Sequence, residues 1–159
     1  MKKYILLSIV YANLILFSSP IYAQQVYTNT LTTKNYLDSA NIKRYKNKID
    51  TNRIKIEVNR IIGISSFYST NLNGTETSTG ERFYNSKYTA ACNLFKLNTI
   101  VRVTNLRNGK TVLVRINDHM HPNMLSKGRV IDLSQSAAKQ LVFKSKGLVK
   151  VMVDAIGYS

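Results

Sequence analysis

A small, closed, mainly β barrel is the fold this sequence predicts, and three observations predict it. The segments TIVRVTNL (Thr99–Leu106) and KTVLVRIN (Lys110–Asn117) alternate apolar and polar residues on either side of Asn108-Gly109, a strong type I′ hairpin signal. The same alternation returns near both ends of the folded region, in IIGISSFYS (Ile61–Ser69) and GLVKVMVDAI (Gly147–Ile156). Five or six short strands and one helix thus crowd into residues 61–157, which suits a sheet closed on itself.

Taken in order, the chain opens as a secretory signal peptide over residues 1–23. Lys2 and Lys3 form a positive start, Tyr4–Phe17 is apolar, and Ile21 and Ala23 occupy the −3 and −1 positions of a cleavage site. The apolar run is shorter than the roughly 20 residues of a membrane span. No transmembrane segment is expected after cleavage, and no cysteine near that site suggests a lipid anchor. The expected location is therefore the periplasm or cell envelope. Residues 24–60 are rich in Thr, Asn and Lys and read as a flexible basic spacer, helical in part around Tyr36–Lys48.

The folded domain is expected over residues 61–159. After the first strand comes a long polar loop, NLNGTETSTGERFYNSK (Asn71–Lys87), then the hairpin. RVIDLS (Arg129–Ser134) reads as a short strand that runs into a helix start. Ser134 is an N-cap for a helix near 134–142, where Ala137, Ala138, Leu141 and Val142 have helical spacing. Cys92 is the single cysteine, so no intramolecular disulfide is possible and the core alone must hold the domain.

Charge narrows the partners. The whole chain carries a formal +15, and residues 61–159 carry thirteen basic and five acidic residues, a net +8. Such a surface favours polyanions. An exported protein does not normally meet nucleic acid, so acidic envelope polymers lead and no nucleic-acid partner is expected. A basic surface kept only for solubility is the plain alternative.

The stretch VRINDHMHP (Val114–Pro122) carries the chemistry. Asp118 ends a strand, where a rigid element holds a carboxylate at a cleft edge. Glu81 follows Thr79-Gly80 in the long loop. Glycosidic cleavage commonly needs a carboxyl group that protonates the leaving oxygen and a second group that stabilises positive charge. Most acids are nevertheless solvated or salt-bridged, and two acids are a weak signal. His119 and His121 have the i, i+2 spacing of a chelating strand, with Asp118 or Cys92 as further zinc ligands. Pro122 forces a turn there and neither a second cysteine nor a third histidine exists, so no metal or other cofactor is expected. Cys92, after two alanines, reads as a buried and inert small hydrophobe rather than a nucleophile.

Residues 63–156 resemble the rare lipoprotein A family, exported bacterial proteins with a six-stranded double-psi β-barrel and one or two short helices. The matching residues are GISSFYS, TSTGERF, YTAAC, VRVTNLRNGKTVLVRINDHMHP, RVIDLS, SAAKQL and GLVKVMV. The resemblance implies a septal-ring type of lytic transglycosylase. Such enzymes cleave the MurNAc–GlcNAc bond of peptide-poor peptidoglycan strands without water and leave 1,6-anhydro ends, in wall remodelling or daughter-cell separation. The family's Glu falls on Glu81 and its Asp on Asp118, while its His position holds Cys92. A thiol cannot replace imidazole as a cation or a two-ended hydrogen-bond bridge.

His119 or His121 is then the imidazole nearest to hand. The peptidoglycan strand is the expected partner of a monomer. Asp118 and Glu81 are the expected catalytic residues, with Tyr68, Phe83, His119, His121 and Cys92 around the sugar. The alternative is a non-catalytic, expansin-like barrel that binds glycan and loosens the wall, with Tyr68, Phe67 and Phe83 stacking on sugars.

Overall fold

The computed structural model describes residues 35–142 and 147–158. The expected signal peptide (1–23) and the first part of the spacer lie outside them.

Seven strands are present: β1 (Lys55–Glu57), β2 (Arg60–Phe67), β3 (Thr89–Ala91), β4 (Thr99–Asn105), β5 (Thr111–Asp118), β6 (Arg129–Leu133) and β7 (Val149–Tyr158). Six of them close a ring in the order β2-β6-β3-β5-β4-β7, with β7 returning to β2. The pairs β2–β6 and β3–β5 are parallel, while β3–β6, β4–β5, β4–β7 and β2–β7 are antiparallel. Two parallel pairs crossing through antiparallel neighbours make the expected double-psi barrel.

Alternation along each strand builds the core. Val101, Val103, Val112, Val114, Ile116, Val151 and Val153 point inward and are buried. Helix α2 (Gln135–Gln140) covers one side through Ala137 and Ala138, whose small side chains let it approach closely. Its N-cap is Ser134, as expected, with Oγ accepting the Ala137 N–H at 3.3 Å.

The hairpin is where it was expected, with Val101 opposite Val114 and Val103 opposite Val112. Its turn differs. A type I′ turn needs positive φ at both central residues, and here Gly109 has it (70°) but Asn108 does not. The loop instead spans residues 106–109. It is closed by Asn105 N–H on the Lys110 carbonyl and Gly109 N–H on the Asn105 carbonyl, both at 2.9 Å. The cause is side-chain competition. Asn105 Oδ1 takes the Arg107 N–H, and the Asn105 and Asn108 amides both donate to the Leu141 carbonyl at the end of α2.

The spacer reading needs correction over its second half. From Tyr36 the chain belongs to the folded unit. Leu37 is buried and bridges to Phe95, and Asp38 N–H donates to the Leu94 carbonyl at 2.8 Å. Helix α1 (Ser39–Arg44), inside the span read as partly helical, is capped by the Asp38 carboxylate on Asn41 N–H. Ile54 is also buried, and β1 pairs with the start of β2. Two buried side chains and one short strand suffice to tie down a segment whose composition is otherwise polar.

β2 changes partner at Gly63. Before it β2 pairs with β1, and after it with β6, where Ile64 lies opposite Arg129. A Cβ at position 63 would stand 2.4 Å from Val130 Cγ1 and 3.1 Å from the Gly128 carbonyl. Gly63→Ala is therefore expected to cost about 1–3 kcal/mol, the usual range for an overpacked core. The measure is a lower urea midpoint at unchanged slope; a midpoint equal to wild type would mean that β2 and β6 tolerate separation there.

Candidate active site

Asp118 ends β5, and a bulge sets its aim. Ala90 pairs with Ile116 but the next residue, Ala91, pairs with Asp118, so Asn117 is the extra residue. Four hydrogen bonds then reach the Asp118 carboxylate. Tyr68 Oη donates to Oδ2 at 2.9 Å. Oδ1 accepts from Ser78 N–H at 3.0 Å, Ser78 Oγ at 2.6 Å and His119 N–H at 2.8 Å. The end of β2, the long loop and the strand's own exit thus converge on one group.

Glu81 meets β5 one step earlier. Its Oε2 accepts from Arg115 Nη2 at 2.6 Å and stands 3.5 Å from Asn117 Nδ2. The Arg115 guanidinium holds the Glu81 carboxyl below its ordinary 4.5, opposed by burial and with help from Asn117 and Lys87. The turn between Thr77 and Gly80, closed by Gly80 N–H on the Thr77 carbonyl, links the two acids. Ser78 at its tip reaches Asp118, and Glu81 just after it reaches Arg115.

Tyr68 forms a floor beside Asp118. Its ring packs on Phe83 with centroids 4.3 Å apart. Burial raises the phenol well above its ordinary range, and Asp118 and Asp132 add to the effect, so Tyr68 serves as a donor. Phe83 was expected to stack on sugar but is 1 % exposed, which makes it the support under Tyr68. Phe67, read alongside it, is packed partly buried against the core.

Cys92 was expected both at the sugar and as a buried thiol; it is buried, at 1 % exposure, and cannot touch a ligand in this arrangement. Burial pushes the thiol from 9.0 to about 11, opposed by the Leu94 and Phe95 N–H groups and aided by Asp132. The folded state therefore prefers the protonated thiol. Its contribution is complete below about pH 9 and is lost as pH rises towards 11.

The histidines lie at the rim. His119 is exposed, and its Nδ1 is 3.2 Å from the Cys92 carbonyl. A carbonyl only accepts, so Nδ1 carries the hydrogen in this contact. His121 Nδ1 accepts from Asn123 N–H at 3.3 Å and caps the 3₁₀ turn Pro122–Lys127. Among the described residues no group of three or more His, Cys, Asp or Glu side chains is placed to hold a metal ion.

Several residues here went unnoticed in the sequence. Ser78 touches Asp118 across forty positions, and nothing local marks it. Asn93 clasps the loop after Asp118, accepting from Met120 N–H at 2.8 Å and donating to the Met120 carbonyl at 3.0 Å. Asp132, with Ser66 and Arg129, forms a further polar cluster on β6 and β2. A recess of about 550 Å³ bordered by Tyr88, Lys110, Lys139 and Gln140 lies at the opposite end of β5 from Asp118.

Fold and site together define a double-psi barrel with a carboxylate held at a strand end. Residues 60–153 match the lytic transglycolase family, and the chain belongs to it. The endolytic peptidoglycan transglycosylase RlpA of Pasteurella multocida (strain Pm70) is 44% identical over 94 residues, 59% of this chain and 31% of that protein. The protein of the same name from Campylobacter jejuni is 38% identical over 96 residues, 60% of this chain and 34% of its own. The chain thus spans about a third of the length of these relatives. Among solved structures, Streptomyces papain inhibitor shares the fold with a TM-score of 0.50 at 21% identity, over 62% of this chain and 94% of that one.

The buried thiol gives a direct check. An aromatic disulfide reagent at pH 8 is expected to label Cys92 at least about 100-fold more slowly in the native protein than in denaturant, since reactivity needs an exposed thiolate. Equal rates would mean that the floor of the site opens freely.

Proposed function

We propose that the chain is an exported peptidoglycan lytic transglycosylase that cuts between MurNAc and GlcNAc and leaves 1,6-anhydro ends. One observation carries the reading: in a chain of the lytic transglycolase family, Asp118 is held at a strand end by four donors from three segments. The reaction breaks the bond between C1 and the bridging oxygen. Asp118 gives that oxygen a proton, and the four donors receive the carboxylate that remains. The MurNAc 6-hydroxyl then attacks C1 and returns its proton to Asp118. No water is consumed and the proton count closes.

Glu81 is fixed as an anion by Arg115 and positions the loop that carries Ser78. Tyr68 orients Asp118, and His119 and His121 border the sugar. The net +8 of residues 61–159 attracts an acidic wall polymer, which supports action in the cell envelope on glycan strands. Among the described residues no helix is long and apolar enough to cross a membrane.

A second reading has its own support. Cys92, at the position of the family's histidine, is buried and brings no imidazole to the site. A barrel that binds glycan without cutting it, in the manner of expansins, is consistent with that feature.

Mass spectrometry of peptidoglycan digested by the purified protein separates the two. The enzyme is expected to release 1,6-anhydro products, whereas binding to insoluble glycan without any such product would favour the second reading. Asp118→Asn should lower product formation by about 100-fold or more, the typical cost of losing a catalytic proton donor. Glu81→Gln should lower it without abolishing it. Both variants should keep the wild-type melting temperature within a few degrees, because each amide is nearly isosteric with its acid. An Asp118→Asn variant as active as wild type would remove Asp118 from the mechanism.

A further inference from the structure

Strand pairing places a second carboxylate beside Asp118 that the family resemblance did not single out. Ala91 lies opposite Asp118 on one side, in the parallel pair β3–β5, and opposite Asp132 on the other, in the antiparallel pair β3–β6. Ser66 continues the row as the partner of Asp132 on β2. The neighbouring row of Ile116, Ala90 and Leu133 fills the core. Directly paired residues share a face, and successive residues alternate. Asp118, Ala91, Asp132 and Ser66 therefore share the opposite face.

Two strand spacings separate the two aspartates, about 9–10 Å between backbones; Ala91 between them is buried, and Tyr68 reaches Asp118 from the end of β2, on the Asp132 side. Carboxyl groups that flank a sugar in glycosidic cleavage are roughly 5–9.5 Å apart. Asp132 is ion-paired and braced. Its Oδ1 accepts from Arg129 Nη2 at 2.7 Å and from Ser66 Oγ, and Arg129 is itself held by Ser66 and by Met124 Sδ at 3.0 Å. Among the described residues no hydrogen bond reaches Asp132 Oδ2, and the side chain keeps 16% exposure.

We propose that Asp132 is the second carboxylate of the glycan face, opposite Asp118 across Ala91, and that its free Oδ2 accepts a sugar hydroxyl while its charge faces the ring carbon that becomes positive. Ser66 and Arg129 are its positioning residues. Glu81, tied to Arg115 further back along β5, does not take this part. The proposal rests on the glycan-cleaving reading for the charge and on glycan recognition alone for the hydroxyl.

The test compares wild type with Asp132→Asn, which keeps shape and removes charge. Anhydro-product kinetics are read by mass spectrometry, binding by co-sedimentation with purified peptidoglycan, and fold by melting temperature. A group that acts on charge in the transition state changes kcat rather than KM. The expected result is a fall in kcat of about 100-fold with KM and melting temperature little changed. A wild-type kcat, or a raised KM at unchanged kcat, overturns the charge role. If Asp132→Asn melts far below wild type, Ser66→Ala decides: it should lower kcat several-fold at constant KM, and an unchanged kcat overturns the proposal. If wild type makes no anhydro product, the enzymatic reading has failed by itself, and the proposal stands or falls on binding. Weaker co-sedimentation of Asp132→Asn would then support it, and equal co-sedimentation overturn it.

Discussion

The barrel closes only because β2 serves three neighbours. Along one edge it pairs with β7 from Arg60 to Ser65, and along the other it pairs first with β1 and then with β6. The exchange between β1 and β6 happens at Gly63, where backbone and Val130 come too close for any side chain. An unpaired strand edge would leave backbone donors and acceptors without partners, a cost comparable to losing each hydrogen bond. Closing the ring removes that edge, and β2 is its seam. Tyr68, immediately beyond the seam, reaches Asp118 only because β2 continues alongside β6 past Gly63.

The polar row on the outer face follows from this closure. Register fixes which residues stand side by side, and a slip of one position would send them to the other face. With Leu133 pinned in the core, Asp132 points outward by alternation, whereas Asp118, two residues after the core-facing Ile116, points outward because the bulge at Asn117 breaks the alternation. Hydrophobic packing inside the barrel therefore aims Asp132 outside it. The bulge at Asn117 adds a local correction, since it puts Asp118 opposite Ala91 and frees the Asn117 carbonyl to accept Thr79 N–H at 3.2 Å. That bond docks the loop bearing Ser78.

What the sequence disclosed depended on how local each cause was. The hairpin, the Ser134 cap and the placement of Asp118 at a strand end were legible, because alternation and capping are decided within a few residues. The turn at Asn108-Gly109 was misread because its geometry is set by α2, whose end lies more than thirty positions away. Residues 36–57 looked like spacer because Leu37 and Ile54 are too few to give a period, yet each finds a partner on the barrel. Phe83 looked like a sugar platform because an aromatic in a polar loop reads as exposed, and only the fold lays Tyr68 over it. Asp132 was hidden in plain alternation: in RVIDLS it is the expected outward polar residue, and nothing local tells a solvated acid from one that shares a face with Asp118.

The three acids differ in the charge of their partners. Glu81 is bonded to the guanidinium of Arg115, and Asp132 to that of Arg129. Asp118 has four donors and every one is neutral: a phenol, a serine hydroxyl and two backbone amides. Charge-assisted bonds are the stronger kind and oppose any step that neutralises the acid. Neutral donors steady a carboxylate without tying it to a fixed opposite charge. Asp118 is thus the one acid of the three held by neutral donors alone, the arrangement around the group to which the proposed reaction gives the proton transfer. The other two acids are each ion-paired to an arginine on a neighbouring stretch of the barrel. The buried thiol of Cys92 adds no cation to this group.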